Sequence, residues 1–199
     1  MGHFGYIKLE LPVFHIGFLR ATIELLQCIC KTCSRVLLAP AARKGVMRLM
    51  RTPGLDTLRK ARLRKRVTED CKKVTLCPWC HALNGQVKKV VGAQTFKLVH
   101  DRYKAKTSTA AHARSQFEAI VDTQASLSAE IVPHVKRAME DLNPLRVRDL
   151  FTRIPAEDLD LIWADAAHAR PESMILTHVL VPPVCIRPSV PMDGGGGGS

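Results

Sequence analysis

Cys28-Ile-Cys30-Lys-Thr-Cys33-Ser-Arg-Val-Leu-Leu38 and Cys77-Pro-Trp-Cys80-His-Ala-Leu-Asn84-Gly85 decide how this chain is held together. A Cys-x-x-Cys turn aims two sulfurs at one centre. Four thiolates from two such turns form the closed tetrahedral shell of a structural zinc ion. The spacing therefore names Cys30, Cys33, Cys77 and Cys80 as zinc ligands. The plainer alternative is two pairs of buried thiols. The spacer between the pairs is longer than in a compact zinc ribbon, so the knuckle is expected to carry an insertion.

Three further cysteines fall outside the pairs. Cys28 precedes Cys30 by two residues and is expected to point elsewhere and pack. Cys71 is an alternative ligand in a different geometry. Cys185 sits in an apolar extended run and reads as core. His3 stands between glycines in Gly2-His3-Phe4-Gly5. The other histidines are scattered without metal-binding pairing, and Asp158-Leu-Asp160 reads as exposed acids on a short helix. No phosphate loop, nucleophile elbow or Ser/His/Asp order is present, so nothing resembles a self-sufficient active site.

The net charge of +12 is concentrated. Between Arg43 and Lys73 stand twelve basic residues and three acids, which account for nine of those charges. Such clustering attracts phosphate backbones by counterion release. Its candidates are Arg59, Lys60, Arg62, Arg64, Lys65 and Arg66. The bland alternatives are a solvated helix face or a contact with an acidic protein. With 199 residues the chain can form one domain, or one with an appended module. No apolar run is long enough to cross a bilayer. The stretch from Ile16 to Cys30 carries Arg20 and Glu24, so it is neither a membrane span nor a signal peptide. A reducing compartment is therefore expected, and there paired cysteines favour metal over disulfides.

Periodicity and breakers predict an α+β chain, mainly helical, with short strands and irregular segments. Residues 1–14 read as extended. Ile16, Leu19, Ile23 and Leu26 recur at helical spacing. A second helix starts after Pro40 and stops at Thr52-Pro53-Gly54. A third, with Leu55, Leu58 and Leu63 as its apolar side, runs to about Lys72 and completes a basic hairpin. Asn84-Gly85 is a hairpin turn signal ahead of short strands at Val87 and Phe96–Val99. Residues 104–112 read as a polar join, and Arg114 to Leu142 as helical with a break near Pro133. Asn143-Pro144 starts a helix with Leu145, Leu150 and Phe151 buried, and Pro155 opens another. Met174 to Val190 reads as extended, and Gly194 to Ser199 as a flexible tether, as though a larger protein continued there. The expected units are 1–27, a zinc-bound module at 28–103 with its basic hairpin at 41–73, a helical core at 104–190 and a tail at 191–199.

Five strings carry a resemblance: Gly2-His-Phe-Gly-Tyr-Ile-Lys-Leu-Glu-Leu-Pro-Val-Phe-His-Ile-Gly17, Cys28 to Leu38, Cys77-Pro-Trp-Cys80 with Asn84-Gly85, Leu142-Asn-Pro-Leu145, and Val181-Pro-Pro-Val-Cys-Ile-Arg-Pro-Ser-Val190. In order and spacing they resemble the N-terminal clamp region of the largest subunit of eukaryotic RNA polymerases. The likeness covers all but the glycine tail. Within the family they look most like the polymerase III subunit. The resemblance implies a clamp-type domain that closes over DNA and the RNA–DNA hybrid, in a nuclear enzyme that makes small non-coding RNAs. It implies the second-largest and other polymerase subunits as partners, and no membrane. It makes the four cysteines the family's second clamp zinc site and His3 an orphan ligand of the first, whose three upstream cysteines are absent here. Catalytic magnesium belongs, in the family, to an acidic loop far downstream, so this chain is expected to be inactive alone. The alternatives are a stand-alone zinc-dependent nucleic-acid-binding or transcription-regulating protein, and a structural scaffold that meets acidic proteins.

Overall fold

The computed structural model describes residues 2–92, 95–103, 108–130, 132–135, 139–164 and 168–187. The expectations for the 191–199 tail, for 104–107 of the polar join and for 188–190 lie outside these residues. The fold mixes helix and strand, as the sequence predicts. Strand β1 (Gly5–Phe14) pairs antiparallel with β5 (Ile175–Val181), so segments far apart in sequence form one ribbon. Gly5 faces Val181 and Phe14 faces Ile175, with a register shift between Lys8 and Val13.

Helix α1 (Leu19–Cys28) leads into the first cysteine pair. Its buried stripe is Leu19, Thr22, Leu25 and Leu26; Ile16, expected on that stripe, is 80% exposed in the preceding 3-10 turn. Helix α2 (Pro40–Met50) begins on a proline, whose missing N–H costs nothing in a first turn. Helix α3 (Thr57–Cys71) completes the hairpin. Its core-facing side is Val67 and Cys71, whereas Leu58 is 68% exposed. Of the three leucines expected on its apolar side, Leu55 and Leu63 are half-buried and only Leu58 is exposed.

Strands β2 (Gln86–Val91) and β3 (Phe96–Asp101) form an antiparallel hairpin. Its tight end is Gly92, whose N–H donates to the Thr95 carbonyl at 2.7 Å, and not Asn84-Gly85. Helix α4 (Ser108–Ala125) starts inside the segment expected to be a join. Ala110 and Ala111 supply the helix propensity that outweighs its polar composition. Helix α4 ends at Ala125, and a short α5 (Val132–Val135) follows. Strand β4 (Met139–Asp141) then adds to the open edge of β3, with His100 facing Glu140. Helical spacing had extended to Leu142; a free strand edge is a tertiary opportunity that spacing does not register.

Helix α6 (Pro144–Thr152) begins as expected: the Asn143 carboxamide oxygen accepts from the Arg146 N–H at 2.8 Å. Val147, Leu150 and Phe151 are buried, whereas Leu145 is 54% exposed. Helix α7 (Ala156–Ile162) follows. A 3-10 turn at Val184–Ile186 interrupts the extended end, and it leaves Cys185 exposed instead of in the core.

One hydrophobic cluster unites α1, α6 and α7 with Ile29, Val36 and Leu37 of the first cysteine turn, Val67 of α3 and Leu98 of β3. Asp158, expected to be exposed, is buried. Its carboxylate accepts from the Arg43 guanidinium at 2.6 Å and from the Val36 N–H at 3.3 Å, joining α7, α2 and the first cysteine turn. Removing one partner of such a pair strands the other charge. Asp158→Ala is expected to lower unfolding stability by about 3 kcal/mol. Urea titration of the full chain measures it, and a loss below about 1 kcal/mol would place the pair with ordinary surface bridges.

Candidate metal centre

The two Cys-x-x-Cys turns have the same backbone. In the first, the Cys30 N–H donates to the Arg35 carbonyl at 2.9 Å and the Ser34 N–H donates to the Cys30 carbonyl at 3.0 Å. In the second, Cys77 and Ala82 make the first bond at 2.9 Å, and His81 and Cys77 the second at 3.0 Å. Ile29 bridges Val36, and Leu76 bridges Leu83. Ser34 and His81 hold the equivalent left-handed position, at φ 60° and 57°. This conformation costs a non-glycine residue energy, and its recurrence marks a turn built to present sulfurs.

The turns bring their four sulfurs together. Cys30 and Cys80 Sγ lie 3.6 Å apart, Cys33 and Cys77 Sγ 3.7 Å, and all four fall within 4.8 Å of one another. Four sulfurs held about 2.3 Å from a common centre in a tetrahedron stand about 3.8 Å apart. The set therefore has the dimensions of a tetrathiolate site and could hold a metal ion. It is the one such group among the described residues.

Donors surround the sulfurs. The Thr32 N–H points at Cys30 Sγ at 3.4 Å and the Trp79 N–H at Cys77 Sγ at 3.5 Å. Asn84 Nδ2 lies 3.4 Å from Cys30 Sγ, while its Oδ1 accepts from the Lys31 N–H at 3.1 Å. Burial alone would raise the Cys30 thiol, but the Cys33 and Thr32 N–H groups, Asn84 and the Cys80 thiol stabilise its thiolate and bring it down to about 6. Burial pushes Cys33 and Cys77 up. Cys30 is thus the anionic anchor of the set, and a cation would draw the remaining protons off.

Asn84 is more than the turn signal it looked like. It is 3% exposed and ties both cysteine turns to one carboxamide. Trp79 also spans the turns: its Nε1 donates to the Val36 carbonyl at 3.0 Å, and the Arg35 guanidinium lies 4.6 Å over its ring. Burial and hydrogen-bond partners are invisible in a string, so only the proximity of Asn84 and Trp79 to cysteines hinted at these roles. Behind Asn84, the Gly85 N–H donates to His100 Nε2 at 3.1 Å. Burial, with Lys31 and Arg102 nearby, pushes His100 down to about 3, so it is neutral with its proton on Nδ1.

The remaining candidates separate from this centre. Cys71 lies at the end of α3 and hydrogen bonds through its thiol to Cys28, which leaves it outside the ligand group. That contact holds the Cys28 thiol low and pushes Cys71 up. His3 is exposed and joins no ligand group among the described residues. On α3, Arg59, Arg62, Lys65 and Arg66 are exposed, whereas Lys60 and Arg64 are half-buried toward the core side. None of the six forms an ion pair among the described residues. Arg43, by contrast, is committed to Asp158 and Glu157.

Fold and site together define an α+β chain in which two cysteine turns, separated by a basic helical hairpin, bring four sulfurs to one centre that could hold a metal. Residues 1–199 match the family model described as RNA polymerase Rpb1, domain 1, and the chain belongs to that family. It is 43% identical over 197 residues to DNA-directed RNA polymerase III subunit rpc1 of Dictyostelium discoideum, covering 99% of this chain and 13% of that protein. With subunit RPC1 of Homo sapiens it shares 42% identity over 193 residues, covering 97% and 14%. With RPC1 of Saccharomyces cerevisiae it shares 41% over 197 residues, covering 96% and 14%. The chain thus spans about one seventh of these relatives.

Proposed function

We propose that this chain is the clamp region of the largest subunit of DNA-directed RNA polymerase III, a nuclear enzyme. The observation that carries this reading is the match to polymerase III subunits along nearly the whole chain. Cys30, Cys33, Cys77 and Cys80 hold one structural zinc. The donor set is all sulfur and closed on itself, with no open position for substrate, which is the pattern of a brace. The brace fixes the module 28–103 and presents the hairpin 41–73. His3 belongs to a first zinc site that this chain does not complete. Nucleotidyl transfer, with its magnesium, belongs to the whole subunit and its partner subunits.

The unpaired cations of α3 supply attraction to DNA and the RNA–DNA hybrid. Arg59, Arg62 and Arg66 recur at i, i+3 and i+7 with Lys65 beside them, so they share one face of the helix. Flexible cations without base-reading partners hold a backbone and do not read sequence. Replacing Arg59, Arg62, Lys65 and Arg66 together by Gln is expected to weaken binding of the chain to duplex DNA and to a hybrid. The slope of log affinity against log salt should fall by up to about 4, roughly one for each phosphate no longer neutralised. Fluorescence anisotropy from low to physiological salt measures both. An unchanged slope would remove nucleic acid from α3, and a loss confined to one sequence would contradict backbone holding.

A further inference from the structure

Helix α1 carries apolar side chains on two adjoining sides. One side, with Leu25 and Leu26, enters the core. The other runs from Ile16 in the preceding 3-10 turn through Leu19 to Ile23, at i, i+3 and i+7. Along it lies an open groove of about 500 Å³, lined also by Lys89 of β2 and by Lys72 at the end of α3. Ile16 is 80% exposed there and takes no part in the core cluster. A single exposed apolar residue is ordinary. This one continues the line of Leu19 and Ile23 along a concave surface, which is the form of a binding groove.

The charge of the groove is one-sided. Glu24 is the acid that lines it, and Arg20 one turn earlier takes it at 3.5 Å. Lys72 and Lys89 are exposed, and neither belongs to an ion pair among the described residues. Lys89 is nonetheless restrained, with its ammonium 4.9 Å over the Phe96 ring. The groove thus joins an apolar stripe to two cations that no acid compensates. A phosphate backbone would pair the cations and leave the stripe uncovered. A partner that satisfies both must carry apolar side chains and carboxylates together. The spacing along α1 suits a second helix laid beside it, with anchors at the same intervals.

We propose that the groove between α1, β2 and the end of α3 is a docking site for an acidic amphipathic helix of a partner protein. The apolar side chains of that helix cover Ile16, Leu19 and Ile23, and its carboxylates face Lys72 and Lys89. The stripe supplies the holding contact, and the lysines steer the helix and fix its direction. The proposal depends neither on a metal at the cysteine turns nor on the nucleic-acid role of α3.

The experiment uses the full 199-residue chain and a fluorescein-labelled peptide of about 18 residues, five helical turns, with Leu at i, i+3 and i+7 and Glu at the flanking positions. A scrambled peptide keeps the composition and removes the stripe. Anisotropy at low salt is expected to show saturable binding of the first peptide and at least about tenfold weaker binding of the second. Ile16→Ser is expected to weaken the first peptide about tenfold, the loss of one buried apolar anchor. Lys72→Glu combined with Lys89→Glu is expected to weaken it by at least about tenfold and to turn the preference toward a peptide with Lys in place of Glu. All these side chains are exposed, so the variants are expected to keep the thermal transition of the unaltered chain; were one to lose it, the other still decides. Equal binding of the two peptides, or undiminished affinity in Ile16→Ser, would reduce the attraction to charge alone and overturn the proposal. Duplex DNA binding that the double lysine variant loses while it keeps the peptide would assign the face to nucleic acid and sink the proposal as well. Absence of saturable peptide binding to the unaltered chain would do the same.

Discussion

Cys77→Ser is expected to strip the chain of its metal and to destabilise residues 28–103 by several kcal/mol, because structural zinc binding is itself folding energy. The residue is fully buried, with its sulfur 3.7 Å from that of Cys33 and within reach of the Trp79 N–H. A serine hydroxyl ionises far less readily than a thiol and binds zinc poorly, so three ligands would face a site dimensioned for four. The loss is not local. The first turn contributes Ile29, Val36 and Leu37 to the same core as α1, α6 and α7, and the second packs Trp79 and Ala82 against it. Between the turns runs the α2–α3 hairpin, which an ion shared by the four sulfurs would close into a loop; opening it returns chain entropy to the unfolded state.

Metal analysis of the purified chain should find about one zinc per molecule, and close to none in Cys77→Ser. The thermal transition of the variant should fall and broaden. Cys71→Ser is the matched control: Cys71 is equally buried but lies outside the ligand group, so its variant is expected to keep the metal. Full zinc content in Cys77→Ser would remove that residue from the site. Two zinc ions per chain would mean that His3 belongs to a complete second site and is not an orphan.

What was legible in the sequence was whatever depends on neighbours along the chain. The cysteine turns are local objects: two sulfurs three positions apart, closed by backbone bonds within six residues, and the structure joins the two turns as the spacing implied. Helix starts at Pro40 and at Asn143-Pro144 are equally local, and both are found there. What failed depends on contacts distant in sequence. Asp158 looked exposed because acids in a first helical turn usually are; it is buried because Arg43, more than a hundred residues away, reaches it. Met139–Asp141 carried helical spacing, but the edge of β3 recruited it as a strand. Leu58 and Leu145 looked like core and are exposed, since an apolar residue reveals no face until its neighbours are placed.

Gly85→Ala is expected to be among the most damaging single methyl additions in the chain. An ideal Cβ at Gly85 would lie 1.7 Å from the Asp101 carbonyl oxygen and 2.7 Å from that of Arg102. Both are backbone atoms, so no side chain can swing aside, and Asp101 is fixed by its pairing with Gln86 and Met139. The constraint is space and not a special backbone angle. Relief requires Gly85 to move away from β3, which breaks its bond to His100 Nε2 and leaves that buried ring without its donor. Gly85 cannot move without Asn84, whose carboxamide joins Cys30 Sγ to the Lys31 N–H. The strain therefore passes in one residue from the sheet to the metal centre. A stability loss above about 4 kcal/mol is expected, at the upper end for point substitutions because overpacking and a stranded polar group act together. Zinc should also exchange faster, which a purely local defect of the sheet would not cause. Gly45→Ala, inside α2 where an added Cβ meets nothing within 4 Å, provides the contrast: it is expected to stabilise the chain by about 0.5–1 kcal/mol through helix propensity alone. Denaturant unfolding of the two variants, each followed with a zinc-release dye, measures stability and exchange in one series. Gly85→Ala that unfolds like the unaltered chain would mean that β3 yields where its pairing says it is held.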